Sequence, residues 1–347
     1  MRAIISNINS AFLAILFLFS VAIAQELRDS GPGPGPKDNA PAPIVIAHRG
    51  ASGYAIEHTE AAKAMAFAQG ADFVEQDVVL SKDKQFIVTH DITMEDTTDV
   101  EQKYPDRHRT DGKFYFADFD WSEISQLTMH ERTRRGSESP ALEKRFPGSA
   151  GQRVLRLEDE IRLVRGWNQT MGKSVGLYIE LKGPSFYKKE FGTSMGEQLL
   201  SLLARLEVKP DTNECFIQCF EPDELKDLHD RLDCKFPLVQ LLGRPTSPEG
   251  ILEIAKYARG IGPSLELLVN RDDHGTLQST GLVEAAHAVG LIVHPYTIRK
   301  YEQPRWSDSL DATHLMIVNE LKVDGFFTDY PDLGRKAVDE RFLNHTN

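Results

Sequence analysis

The chain has 347 residues, of which 41% are hydrophobic and 27% are charged, the composition of an ordinary globular protein. Its formal net charge of −12 excludes a general binder of nucleic acids or anionic membranes, because either would need a basic face. A small anion can still be bound if the cationic side chains are concentrated at one site.

The N-terminal residues predict an export signal. An apolar run follows Arg2 and ends in small residues at Ala22 and Ala24, where a signal peptidase would cut. We therefore predict a signal peptide at 1–24 and a secreted or periplasmic protein. The alternative is an uncleaved membrane anchor, which the shortness of the apolar run disfavours.

The next segment predicts a spacer. Residues 25–43 contain the sequence GPGPGP, which is typical of a linker without a packed core. The folded domain is expected at 44–340. Because no later stretch is long and apolar enough to span a bilayer, we expect no stable membrane insertion.

Short runs of Val, Ile, Leu and Phe then alternate with longer stretches of helical periodicity, which predicts an α/β fold with a parallel sheet. Strands are predicted at 44–47, 73–80, 86–90, 176–182, 214–220, 236–242, 260–263, 291–295 and 325–328. Helices are predicted at 59–69, 158–167, 194–206, 221–231, 248–258, 280–289 and 311–321. Roughly eight βα units favour a (β/α)8 TIM barrel. A doubly wound open sheet is the alternative.

One long stretch interrupts this alternation after the second strand region. Residues 91–153 are polar and lack strong periodicity, and we predict that they form an insertion. A connection of this length in a compact domain is usually functional or a small subdomain. In a barrel it would leave the carboxyl end of a strand and cover the mouth.

The three cysteines predict free thiols. Cys215 and Cys219 fall in one predicted strand and would lie about 13 Å apart at ~3.3 Å per residue, too far for a disulfide. Cys234 could pair with either of them, but nothing in the sequence requires it.

Acidic side chains gather in two of the predicted strands. Glu75 and Asp77 lie two residues apart and share a face, and Glu180 lies in the next long strand, two residues before Lys182. Three hard oxygen ligands favour Ca²⁺ or Mg²⁺ over zinc. The alternative is that these acids face solvent or pair with Lys and Arg.

Two histidines and two cations end predicted strands close to these acids. His48 and His90 suit general acid and base roles in P–O cleavage. Arg49 and Lys182 offer the positive charge that binds a phosphate and stabilises charge on its oxygens, although they could instead neutralise the acids.

The motifs that carry these residues resemble those of a known family. The sequence IVIAHRGASGYAIEHT is followed by GADFVEQDVVLSKD and FIVTHD, and later by YIELK, QCF, VHPYT and GFFTDYP. In this order they are similar to glycerophosphodiester phosphodiesterases, and the EHT and HPYT variants resemble the periplasmic branch of that family.

The resemblance implies a role for each matching position. The implied roles are acid/base catalysis for His48 and His90, metal binding for Glu75, Asp77 and Glu180, phosphate binding for Arg49 and Lys182, and lining of the site for Glu57 and Gln218. Phe220, on the same strand face as Gln218, is added as a substrate contact. The implied reaction is hydrolysis of a small glycerophosphodiester to sn-glycerol 3-phosphate and an alcohol. The implied cofactor is one divalent cation, with Ca²⁺ as the first expectation and Mg²⁺ as the alternative.

Two other functions fit parts of the sequence. A phospholipase on a related barrel, such as a sphingomyelinase D or a phosphatidylinositol-specific phospholipase C, would use similar groups on a membrane lipid. It is disfavoured because no basic amphipathic surface helix is evident. A non-catalytic binding protein could keep the fold without the reaction. It is disfavoured because none of the implied catalytic and metal-binding residues is lost.

Overall fold

A computed structural model describes residues 41–133, 145–146, 151–272, 274 and 276–342. The predicted signal peptide and most of the predicted spacer lie outside the described residues. A compact unit begins at Ala42. Within the described part of the chain, every helix is too short or too polar to cross a bilayer.

The strands are β1 (Ile44–Ala47), β2 (Phe73–Leu80), β3 (Phe86–Val88), β4 (Leu155–Arg156), β5 (Gly176–Leu181), β6 (Cys215–Cys219), β7 (Leu238–Leu242), β8 (Gly260–Pro263), β9 (Val269–Arg271), β10 (Leu277–Ser279), β11 (Ile292–Val293) and β12 (Gly325–Thr328). Eight of them are parallel neighbours in the order β11-β8-β7-β6-β5-β2-β1-β12. Strands β9 and β10 form a separate antiparallel hairpin.

The two ends of that order are joined by backbone hydrogen bonds. The Ile298 N–H donates to the Phe327 carbonyl at 2.9 Å, and the Asp329 N–H donates to the Ile298 carbonyl at 3.0 Å. The segment that begins with β11 also bridges β8 through Tyr296 and Ser264. The sheet is therefore a closed barrel, so the (β/α)8 prediction is confirmed and the open-sheet alternative is wrong.

Large side chains fill the barrel near the amino ends of its strands. This interior core comprises Ile46, Phe73, Tyr178, Phe216, Val239 and Phe327. Gly176 makes room for it, because a Cβ there would lie 2.2 Å from the Phe73 ring. Polar groups inside the barrel are consequently concentrated toward the carboxyl ends of the strands.

The helices are α1 (Glu60–Ala68), α2 (Val100–Lys103), α3 (Trp121–Ile124), α4 (Leu157–Met171), α5 (Pro184–Phe191), α6 (Met195–Arg205), α7 (Pro222–Lys226), α8 (Pro248–Ile254), α9 (Leu282–Ala288), α10 (Leu310–Asn319) and α11 (Pro331–Phe342). The Thr59 hydroxyl caps α1 by accepting from the Ala62 N–H at 3.3 Å. Gly70, just beyond α1, has the positive φ (84°) that a helix end favours in glycine.

The inserted segment leaves the barrel at β3 and returns at β4, two short strands that pair with each other and extend the sheet from β2. Between them, α2, α3 and a 3-10 turn at Phe116–Asp118 surround buried apolar side chains, including Phe116, Phe119 and Ile124. Its described residues form a small subdomain whose apolar side chains belong to the same cluster as the outer barrel core.

All three cysteines are free thiols. Cys215 and Cys219 are buried in β6, and Cys234 is half-buried. The possible pairing of Cys234 is therefore not formed.

Candidate active site

Three carboxylates meet inside the barrel, and we call them the carboxylate cluster: Glu75, Asp77 and Glu180. Glu75 and Asp77 project from β2, and Asp77 is in register with Glu180 on β5. All three are buried, and one oxygen of each lies within 4.8 Å of the others. Asp77 Oδ1 is buried without a hydrogen-bond partner. Hard oxygen donors with an unsatisfied buried atom fit a divalent cation such as Ca²⁺ or Mg²⁺.

The electrostatics of the cluster favour the same interpretation. Burial raises the pKa of Glu75 well above its ordinary value, and the charges of Asp77 and Glu180 raise it further. Burial and Asp77 raise the pKa of Glu180 to about 8, although Lys182 opposes the shift. Burial also acts to raise the pKa of Asp77, but Lys182 and His58 outweigh it and hold that pKa well below its ordinary value. A divalent cation would remove the cost of charging all three carboxylates.

His48, which follows β1, is held by a carboxylate. Its Nδ1 lies 2.6 Å from Asp329 Oδ1, and because a carboxylate only accepts, Nδ1 carries the proton. Its Nε2 lies 3.8 Å from Glu75 Oε2 and 3.1 Å from Nη2 of Arg299. Burial, Arg49 and Arg299 lower the pKa of His48 to about 3, so the ring is neutral and the free lone pair is on Nε2.

His90, which follows β3, has a matching arrangement. Its Nδ1 lies 2.8 Å from Asp91 Oδ1, so Nε2 is again the ring nitrogen that is free to exchange a proton with a substrate. Asp91 pairs in turn with Arg132 of the insertion, and Arg132 Nη2 lies 2.6 Å from Glu57 Oε1. Burial and the charges of Arg49 and Lys182 lower the pKa of His90 to about 3.

Arg49 links the carboxylate cluster to the loop after β1. Its backbone N–H donates to Glu75 Oε2 at 2.9 Å, and its Nη1 donates to Glu57 at 3.1 Å. The backbone takes positive φ at Arg49 (56°) and again at Gly50 (85°), where a Cβ would lie 2.7 Å from the Ala62 backbone. This tight turn brings an arginine backbone donor against a buried carboxylate.

The remaining predicted site residues border the cluster. Lys182 Nζ lies 2.7 Å from Glu180 Oε1, and the Gln218 amide donates to Glu75 Oε1 at 3.0 Å. The Phe220 ring is 42% exposed and lies 5.6 Å from Lys182 Nζ, which places it at the mouth.

The structure brings all ten predicted site residues together around the carboxylate cluster. His294 ends a predicted strand but lies in the barrel interior, where its Nδ1 is 2.8 Å from the Tyr178 hydroxyl.

Sequence reasoning did not assign five residues that contact the site: His58, Asp91, Arg132, Arg299 and Asp329. Asp329 at a strand end and Asp91 beside His90 carried a signal, whereas Arg132 and Arg299 carried none.

Comparison with known proteins gives consistent matches. Residues 48–333 match the model of the Glycerophosphoryl diester phosphodiesterase family. The chain is 34% identical over 322 residues to a glycerophosphodiester phosphodiesterase of Haemophilus influenzae, covering 84% of this chain and 88% of that protein. It is also 34% identical over 326 residues to a Treponema pallidum protein of the same name, covering 85% of this chain and 91% of that protein.

Solved structures with the same fold include a glycerophosphodiester phosphodiesterase from Agrobacterium tumefaciens, with a TM-score of 0.58 and 24% identity, covering 85% of this chain and 99% of that one. A phosphodiesterase from Oleispira antarctica, solved in complex with the product sn-glycerol-3-phosphate, has a TM-score of 0.61 and 22% identity, covering 86% of this chain and 97% of that one.

Proposed function

Because the chain belongs to the glycerophosphoryl diester phosphodiesterase family, we propose that it hydrolyses small glycerophosphodiesters to sn-glycerol 3-phosphate and an alcohol. The supporting observation is that a buried carboxylate cluster, two carboxylate-held histidines and two cations meet at one end of the barrel. The product bound to the Oleispira antarctica phosphodiesterase is the one this reaction would release.

Glu75, Asp77 and Glu180 would hold one divalent cation, with Ca²⁺ preferred to Mg²⁺. When bound, that ion supplies positive charge that favours the charge developing on the phosphate oxygens. Three carboxylates and an unsatisfied Asp77 oxygen support this assignment.

The two histidines would move protons through their Nε2 atoms. One takes the proton from the attacking hydroxyl, which belongs to the substrate or to water, and the other gives a proton to the leaving alkoxide. Asp329 and Asp91 hold each ring through its Nδ1–H, which leaves Nε2 of the base free to take a proton. The ring that acts as the acid would carry a second proton, on Nε2, and pass it to the alkoxide. Arg49 and Lys182 would bind the phosphate, Glu57 and Gln218 would hold the surrounding groups in place, and Phe220 would contact the substrate at the mouth.

The direct test is release of glycerol 3-phosphate from glycerophosphocholine. We expect EDTA to abolish release and Ca²⁺ to restore it more fully than Mg²⁺. Phospholipid vesicles of phosphatidylcholine serve as a second substrate, on which turnover should be far lower. Efficient turnover of vesicles with none of glycerophosphocholine would refute the proposal and favour a phospholipase.

Variants test the histidine roles. We expect His48→Ala and His90→Ala each to lower kcat by about 10²–10⁴ fold, the usual contribution of a positioned acid or base. His229→Ala is the matched control, because His229 lies on the outer surface with its side chain 45% exposed. Near-native turnover by both site variants, with folding intact, would rule out two-histidine catalysis.

We also propose that the protein is exported, to the periplasm or out of the cell, after removal of residues 1–24. The basic start, the apolar run and the small residues at Ala22 and Ala24 support this. N-terminal sequencing of the protein from its native source should begin at Gln25. An intact N-terminus in the cytosolic fraction would contradict export.

A further inference from the structure

Arg299 follows Ile298, whose backbone hydrogen bonds close the barrel, and it lies against a proposed catalytic histidine. Its Nη2 is 3.1 Å from His48 Nε2 and 3.4 Å from His48 Nδ1. Its side chain is 14% exposed, and its outer side is covered by the Tyr301 ring, 5.5 Å from the guanidinium carbon. Arg299 is therefore a half-buried cation beside the proposed site of phosphodiester cleavage.

The guanidinium of Arg299 has few strong hydrogen-bond acceptors for a cation that is largely buried. Its Nε is buried without a hydrogen-bond partner and lies 3.9 Å from Asp329 Oδ2, too far for a good hydrogen bond. Its Nη1 contacts Glu302 at 3.2 Å, but Glu302 is 72% exposed, and an exposed partner contributes little. Its remaining hydrogen bond is to the His48 ring nitrogen, a weaker acceptor than a carboxylate or phosphate oxygen.

An anion with two adjacent oxygens could accept hydrogen bonds from two N–H groups of the Arg299 guanidinium at once. Phosphate oxygens match the paired N–H groups of a guanidinium, and arginine binds them more strongly than it binds a neutral nitrogen. Binding such an anion would also withdraw Nη2 from His48 Nε2, the atom that the proposed reaction uses.

We propose that Arg299 binds the phosphodiester and that its guanidinium covers His48 Nε2 until the phosphate takes its place. The inference rests on the proposed function. Arg299 thus has two positions, on the histidine in the substrate-free enzyme and on the phosphate in the complex. His48 becomes available for proton transfer only when a phosphate group is in place.

The test compares Arg299→Gln, Arg299→Lys and the matched control Lys300→Gln, which removes one exposed charge from the same loop. The measurements are kcat and KM on glycerophosphocholine, and binding of inorganic phosphate to the metal-loaded protein by calorimetry. A hydrogen bond to a charged group contributes about 1.5–3 kcal/mol, so Arg299→Gln should weaken phosphate binding and raise KM by roughly 10–100 fold. Arg299→Lys should lie between, and Lys300→Gln should match the wild type.

A purely structural role would give another pattern. In Arg299→Ala, millimolar guanidinium chloride should restore part of the phosphate affinity, which it would not do for a packing defect. Unchanged KM and phosphate affinity in Arg299→Gln would overturn the inference, whatever happens to kcat. So would an absence of phosphate binding by the wild type. If the wild type binds phosphate more tightly than Arg299→Gln but releases no glycerol 3-phosphate, the phosphate contact of Arg299 stands, and the proposed function fails together with the role of His48.

Discussion

Replacing Lys63 with methionine should destabilise the protein by about 3–5 kcal/mol, because it leaves a buried carboxylate without its counter-charge. Lys63 on α1 and Glu160 on α4 are both 0% exposed, and Lys63 Nζ lies 2.9 Å from Glu160 Oε1. Lys63 also donates to the Glu75 carbonyl, so the pair sits directly behind the strand that carries two proposed metal ligands. Glu160 keeps one other donor, the Gln76 amide at 2.9 Å.

The double variant separates this charge effect from simple loss of packing. Glu160→Gln alone leaves a buried ammonium and should also cost about 3–5 kcal/mol. Combined with Lys63→Met, it leaves no buried charge and keeps an acceptor for Gln76, so the costs that remain are the amide N–H₂ that Glu160→Gln buries and the lost donor to the Glu75 carbonyl. That donor contributes about 1–2 kcal/mol. The double variant should therefore be more stable than either single variant.

Urea unfolding followed by circular dichroism gives the four free energies of unfolding that this comparison needs. The matched control is Lys256→Met, which breaks a surface pair with Glu253 at 2.6 Å whose side chains are 67% and 65% exposed. That change should cost less than about 1 kcal/mol. Additive losses in the double variant would refute the reasoning, because they would show that the two side chains contribute independently.

Three further predictions follow from single contacts. Asp329→Asn should lower kcat by roughly 10²–10⁴ fold with little change in KM. The reason is that an amide can donate to His48 Nδ1 and so move the ring proton to Nε2. Near-native kcat in steady-state assays would exclude this role of Asp329. Burial lowers the pKa of His314 from 6.5 to about 4. The unfolded chain therefore takes up this proton first as the pH falls, and about 3 kcal/mol of stability should be lost between about pH 6.5 and pH 4. His314→Leu should reduce that slope in urea titrations at several pH values, and an unchanged slope would contradict the assignment. In the native protein a thiol reagent should react mainly with Cys234, and in denaturant with all three cysteines; fewer than three thiols would reveal a disulfide.

The proposed metal ligands could be predicted from the sequence because they depend on short-range regularities. Glu75 and Asp77 are two residues apart on one strand and therefore share a face. Neighbouring parallel strands end at one edge, so an acid near the end of β5 was expected to lie close to them. Asp77 and Glu180 are in register on β2 and β5, in agreement with both rules.

The groups that hold the histidines could not be predicted in this way. Asp329 and Arg299 reach His48 because β12 pairs with β1 and with the segment that follows β11, and the sequence does not state which strands close a barrel. Arg132 lies far along a polar insertion and contacts Asp91 and Glu57 only after that insertion folds back.

Four of the described helices were not predicted: α2 and α3 lie in the polar insertion, and α5 and α11 were missed for a local reason. Helix α5 has the sequence PSFYKKEF and α11 has PDLGRKAVDERF, and neither presents a long apolar stripe. Each begins at a proline soon after a strand end, so the barrel connection determines these helices more than their periodicity does. Five of the seven predicted strands after β2 were one to three residues too long, because both apolar and polar neighbours continue the strand pattern beyond the hydrogen-bonded ladder.

The His48–Asp329 contact joins residues that are 281 positions apart. During translation, the turn at His48–Gly50 and the carboxylate cluster are synthesised long before β12, the strand that precedes Asp329. The nascent chain therefore carries most of its catalytic groups without the partner that sets the His48 tautomer, and a product truncated before β12 would keep the recognisable N-terminal motifs yet be inactive. Catalytic activity therefore requires the final strand, and the chain should be inactive until that strand has been synthesised and has paired with β1.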